Sequence, residues 1–157
     1  MKLTEFIRRK AIVPSLKAPN KRGIVSEMVT ALKKACEGEK IPLEDVVEAV
    51  MEREKAGSTG LGGGVAVPHA KLGSLREVVG AFGRCAKGID FNSVDGEPVS
   101  LVFLVLAPPS KNEEYLAALQ KTMRAIKHPN LCKFLRAAKT AKDIEDIFRE
   151  VEETAKV

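Results

Sequence analysis

The residues best placed to do chemistry lie in one stretch, Gly57-Ser58-Thr59-Gly60-Leu61-Gly62-Gly63-Gly64-Val65-Ala66-Val67-Pro68-His69. An imidazole has an unperturbed pKa of ~6.5, so at neutral pH His69 is largely uncharged and nucleophilic. Such a ring can attack phosphorus without an activating base, provided its other nitrogen is held by an acceptor such as a carbonyl. Catalysis then reduces to positioning and to neutralising charge on three phosphoryl oxygens. Glycine-rich loops expose bare backbone N–H groups to an anion, because no side chain stands in the way. The amides of Gly62, Gly63 and Gly64, the hydroxyls of Ser58 and Thr59, and the guanidinium of Arg53 are the candidates for that task. The residues alone leave a second reading open: a loop histidine, glycines that only turn the chain, and an arginine that only faces water.

Other chemistries fit less well. No Gly-Lys-Ser/Thr closes the glycine segment and no Gly-x-Gly-x-x-Gly opens a helix, so ATP and dinucleotide sites are poor readings. The three cysteines, Cys36, Cys85 and Cys132, are odd in number and widely spaced, with no Cys-x-x-Cys. Neither a disulfide framework nor a metal site is expected, and no cofactor is implied.

The elements that must carry these residues follow from periodicity. Asn20 is placed to cap a helix over 21–36, with Ile24, Val25, Met28, Val29 and Leu32 as its apolar stripe. A second helix follows Pro42 and buries Val46, Val47, Val50 and Met51, delivering Arg53 near its end. Val65-Ala66-Val67 reads as a short buried strand that presents Pro68 and His69, and residues 70–77 read as a loop. Residues 78–86 read as a strand in which Gly80 and Gly83 signal close backbone approach or a bulge. The unbroken aliphatic run 99–107 predicts a central strand buried on both faces. Helices are expected over 112–127, from Pro129 to about 138, and after Thr140, where Ile144, Ile147, Phe148 and Val151 form the stripe. Together these predict an α/β fold, a β-sheet with helices on both faces. Residues 1–20 read as an N-terminal arm and 21–157 as the domain; Pro14 and Pro19 break any long helix in the arm.

Composition bounds the class. The chain has 157 residues, 45% of them apolar and only 4% aromatic, so one domain with an aliphatic core is expected. Residues 1–40 carry ten Lys/Arg against four Asp/Glu, which suits an acidic partner as well as plain solvation. Tyr115 is the one tyrosine and there is no tryptophan, so the stacking platform of a nucleic-acid binder is missing. The longest apolar run, 101–107, is far short of the ~20 residues of a membrane span, and the N-terminus lacks a signal-peptide pattern. A cytoplasmic protein without nucleic-acid binding or direct membrane insertion is expected.

The segment from Arg53-Glu54 through Gly57-Ser58-Thr59-Gly60 and the further glycines to Val65-Ala66-Val67-Pro68-His69 resembles the signature of enzyme IIA of the phosphoenolpyruvate-dependent phosphotransferase system. The likeness is to the fructose/mannitol class, and most closely to its nitrogen-regulatory branch. It continues through Gly88-Ile89-Asp90-Phe91, the Asp95-Gly96 turn, the strand up to Pro108, and Leu135-Arg136-Ala137-Ala138, covering roughly 21–150. The resemblance implies the mannitol-type enzyme IIA fold, a mixed sheet flanked by helices. It implies that His69 is phosphorylated by a histidine-containing phosphocarrier protein and passes the group to a transporter domain, or holds it as a signal to a regulated protein. Arg53 would help hold the phosphoryl group, and the chain would be a phosphotransferase component rather than a stand-alone enzyme. One position departs from the family pattern. Where a second, supporting histidine commonly lies, this chain has Tyr115, which can donate a hydrogen bond but carry no positive charge. Tyr115 is open to two readings, phosphoryl support or packing, and the departure leaves open a binding module that keeps the fold without being phosphorylated.

Overall fold

The computed structural model describes residues 1–154. Its centre is the aliphatic run predicted as a doubly buried strand, here β6 (Val99–Ala107). Alternation sends its side chains to two separate cores. Val102, Leu104 and Leu106 meet helices α2 (Lys21–Ala35) and α3 (Leu43–Lys55) through Ile24, Met28 and Val50. Leu101, Phe103, Val105 and Ala107 meet α4 (Asn112–Lys127), α5 (Leu131–Ala137) and α6 (Ala141–Thr154) through Ala118, Leu135 and Phe148. Four of the six phenylalanines lie in this second core, and three of them cluster, with Phe82 and Phe103 ring centroids 4.8 Å apart and Phe148 set edge-on to Phe82.

The helix ends follow their sequence signals. Asn20 Oδ1 accepts the Gly23 N–H at 2.8 Å, and Thr140 Oγ1 accepts the Asp143 N–H at 3.1 Å.

The sheet is mixed. Strand β5 (Val79–Ile89) lies antiparallel to β6, while β1 (Ile7–Val13) lies parallel to β5 at one edge. On the other side of β6 runs a parallel line made of β3 (Val65–Ala66) and β4 (His69–Lys71), and β2 (Gly60–Gly62) pairs antiparallel with β3. The pairings Val65↔Leu101 and His69↔Val105 keep one register through the interruption. The interruption is Pro68, which lacks the N–H that this position would give to the ladder but still accepts the Val105 N–H at 3.1 Å. Residues 70–71, expected in a loop, thus belong to a strand.

Residues 1–20 are more than the arm the sequence suggests. Residues 3–6 form a short helix, α1 (Leu3–Phe6), and β1 becomes an edge strand of the sheet. Arg8, Arg9 and Lys10 hide it by breaking the alternation of a strand, and they are exposed at a bulge where the register shifts between Ile7 and Ile12. Arg9 is anchored to Glu145 of α6 at 2.7 Å. Among the described residues no helix is long and apolar enough to cross a membrane.

Candidate functional site

The site begins just ahead of β2 in the chain. Val67 donates its N–H to the Thr59 carbonyl at 3.0 Å, the last contact between β3's line and the chain leading into β2. In an extended strand the N–H and C=O of one residue point to the same side, so the Val67 carbonyl also faces the sheet edge. Beyond Thr59 the chain turns away through Ser58 and Gly57 toward α3, and among the described residues no neighbouring strand takes that carbonyl. His69 takes it instead: its Nδ1 lies 2.8 Å from Val67 O. A carbonyl only accepts, so Nδ1 carries the hydrogen and the Nε2 lone pair is bare.

Alternation along β4 places His69 and Lys71 on the face that packs against α4. There the His69 and Tyr115 ring centroids are 6.1 Å apart with planes at 53°. Lys71 Nζ lies 5.3 Å from the Tyr115 ring centroid and donates to Asn112 Oδ1 at the start of α4. From the opposite face, α3 contributes two consecutive residues of opposite fate. Arg53 is exposed and donates to the Gly57 carbonyl at 2.7 Å, so it leans over the loop. Glu54 is buried, receives the Thr59 N–H at 3.0 Å and pairs with Lys21 at 3.1 Å.

These surroundings set the protonation states. Burial pushes the His69 pKa below the ordinary histidine value and the Arg53 charge adds to that, while the bond to Val67 and the charge of Glu54 act the other way. Burial raises the Tyr115 phenol, so it keeps its proton and remains a donor. A neutral imidazole nitrogen, a phenol O–H and the cations of Arg53 and Lys71 therefore converge on one patch of the sheet edge. That set suits a group with two or three negatively charged oxygens attached at Nε2.

The residues singled out in the sequence divide into two groups. Arg53, Thr59 and Tyr115 come together around His69. Thr59 contributes by its backbone, and its Oγ1 is buried without a hydrogen-bond partner among the described residues. Ser58 is occupied, its hydroxyl donating to the Phe91 carbonyl and accepting the Gly60 N–H at 3.0 Å. Gly62, Gly63 and Gly64 form no phosphate cradle at this histidine. They make the β2–β3 turn, all with positive φ. Val65 and His69 stand four pairs apart along β6, about 13 Å. The Gly63 N–H is also already given to Asp95 at 3.0 Å, and Arg136 holds the Gly63 carbonyl. The reason is geometric: residues with positive φ are what a two-stranded turn requires. Lys71, Asn112 and Glu54 are the neighbours the sequence reading did not single out. For Lys71 a signal existed, since a residue two positions after His69 in a strand shares its face.

The comparisons with known proteins bear on the family and the fold. The sequence matches the family described as "Phosphoenolpyruvate-dependent sugar phosphotransferase system, EIIA 2" over residues 5–151. It is 38% identical over 147 residues to the nitrogen regulatory protein of Bradyrhizobium diazoefficiens, covering 94% of each chain. The crystal structure of the nitrogen regulatory protein IIA-Ntr from Neisseria meningitidis superposes with a TM-score of 0.84 at 30% identity, covering 93% of this chain and 98% of that one. The mannitol enzyme IIA of Escherichia coli, solved in complex with phosphorylated mannitol enzyme IIB, shares the fold. Its TM-score is 0.71 at 19% identity, covering 90% of this chain and 95% of that one.

Proposed function

This chain belongs to the enzyme IIA family of the phosphoenolpyruvate-dependent sugar phosphotransferase system, and from that membership we propose that it is a phosphoryl-carrier regulator that accepts the group on His69. The observation that carries the reading is the bond from His69 Nδ1 to the Val67 carbonyl, which leaves Nε2 as the nucleophile. The donor is a histidine-containing phosphocarrier protein. Nε2 of His69 attacks its phosphorus, the P–N bond of the carrier breaks, and the electron pair returns to the carrier's imidazole. No proton has to leave Nε2. The His69 ring becomes cationic and keeps its Nδ1 hydrogen on Val67 O, where the bond strengthens with the charge.

Arg53 and Lys71 offset the phosphoryl charge, and the Tyr115 hydroxyl donates one hydrogen bond where the family's second histidine would add a charge. The acquired charge of about −1.5 to −2 at the sheet edge then changes which partner surface fits, a local electrostatic switch. The partner downstream is a regulated protein or a transporter domain.

The test is transfer in vitro. The protein is mixed with phosphoenolpyruvate, the first enzyme of the system and a histidine phosphocarrier, beside His69→Ala, and intact mass is read at neutral to alkaline pH. An adduct on the native chain and none on the variant is expected. No adduct with a demonstrably active carrier would replace this reading with a binding module that keeps the fold, the alternative that Tyr115 favours.

A further inference from the structure

The histidine is held by more than its neighbours on the sheet. Lys21, in the first turn of α2, donates to Glu54 Oε1 at 3.1 Å and to the Phe91 carbonyl at 3.1 Å, with its ammonium 4.9 Å from the Phe91 ring centroid. Their side chains are 14% and 3% exposed, so this ion pair is withdrawn from water. Such a pair costs desolvation and is weak evidence of stability by itself, which directs attention to what else it holds. Glu54 grips the Thr59 N–H with both carboxylate oxygens, at 3.0 and 3.3 Å. Thr59 grips the Val67 N–H through its carbonyl at 3.0 Å, and Val67 grips His69 Nδ1 through its own carbonyl at 2.8 Å. Each link passes through a whole residue, from N–H to C=O across the Cα, so the connection transmits position.

We propose that Glu54, clamped by Lys21, is a positioning residue for His69: its carboxylate fixes Thr59, Thr59 fixes Val67, and the Val67 carbonyl fixes the imidazole ring and its tautomer. The chain of contacts starts among α2 and α3 on one face of the sheet and ends at the edge where the ring faces α4. Its catalytic meaning rests on His69 as phosphoryl acceptor, and its structural content does not. The charges acting on the ring are those of Arg53 and Glu54 from α3; the neutral phenol of Tyr115 from α4 also faces it, with Lys71 of β4 set over the phenol ring.

The test reads the ring itself, by imidazole nitrogen-15 NMR on the unphosphorylated protein. In the native chain His69 is expected wholly as the Nδ1–H tautomer. Glu54→Gln keeps an acceptor for Thr59 without the charge; the single tautomer is expected to persist while the titration midpoint falls. Lys21→Met/Glu54→Leu removes both charges and the clamp; both tautomers are expected, with phosphoryl acceptance slowed by about tenfold or more. A folded double variant whose His69 stays wholly in the Nδ1–H form overturns the proposal.

Should that variant not fold, hydrogen exchange of the native chain decides. The Thr59 and Val67 amides are expected to be protected to the same degree, and a freely exchanging Thr59 amide overturns the linkage. Because these readouts need no phosphoryl donor, a chain that accepts no phosphoryl group would sink the proposed function and leave this test standing.

Discussion

The rings of His69 and Tyr115 face each other across the junction of β4 and α4, with centroids 6.1 Å apart. Tyr115 is at once part of the second core, only 7% exposed, and a wall of the patch around His69. Its two duties separate by substitution. Tyr115→Phe keeps the packing and removes the O–H; phosphoryl acceptance is expected to slow by about three- to tenfold, one neutral hydrogen bond, with little change in melting temperature. Tyr115→Ala is expected to lose about 3 kcal/mol of stability as well, read by urea unfolding.

The pH profile follows from the lowered pKa of His69, caused first by burial and then by Arg53. The neutral, nucleophilic ring persists below the ordinary value, so the rate of phosphoryl acceptance is expected to stay flat as pH falls through ~6.5 and to drop only at lower pH. The same shift acts on stability. Below ~6.5 the unfolded chain takes up a proton that the folded chain refuses, so stability is lost as pH falls from the unfolded value toward the folded one. Urea titrations of the native chain and His69→Asn at pH 7.5 and 5.5 check this, and the variant is expected to lose less between the two.

Arg53 and Lys71 hold no apolar core together, so their removal is expected to show in chemistry. Arg53→Met is expected to slow acceptance by about ten- to a hundredfold, one charge-assisted hydrogen bond, with stability changed by under about 1 kcal/mol. Lys71→Met is expected to shorten the lifetime of the phosphohistidine, with Lys71→Arg restoring part of it. Equal lifetimes for all three chains would remove Lys71 from the site.

The glycine turn gives a prediction of the opposite kind. Gly63 has φ of +66° and open space around its Cα. Gly63→Ala is expected to cost about 1–2 kcal/mol of stability through backbone strain alone. It should leave the rate of phosphoryl acceptance unchanged, because the Gly63 amide serves Asp95 and not the histidine. A rate that falls while stability holds would return the glycines to the site.

What the sequence disclosed depended on whether the cause was local. The stripes of α2 and α6, the caps at Asn20 and Thr140 and the central run of β6 are local patterns, and each lies where periodicity puts it. Gly80 and Gly83 disclosed close approach without disclosing by what: an added Cβ would meet Phe6, Ile7 and the Leu104 carbonyl at one and Leu16 at the other, and Phe6, Ile7 and Leu16 all come from the first twenty residues. Of these Ile7 opens β1, the edge strand masked by its three charges, while Phe6 ends α1 and Leu16 follows β1. At the site, the type of His69 and the presence of Arg53 were legible, whereas the tautomer was not. It depends on a carbonyl left to His69 because β2 begins only at Gly60, a fact about two strands in space.

The amide of Leu3 is held by the Glu152 carboxylate at 2.8 Å, and β1 pairs with residues 80–83. A chain made from its N-terminus onward therefore produces β1 first and gives it a neighbour only after β5 has emerged, while the amide of Leu3 waits for α6. Loop closure over such spans must precede the contacts that reward it, which slows folding. During synthesis the Arg8-Arg9-Lys10 run keeps the waiting strand charged and poor at pairing with other chains. The interruption of the strand pattern that obscured β1 in the sequence is, in time, a safeguard for a nascent chain.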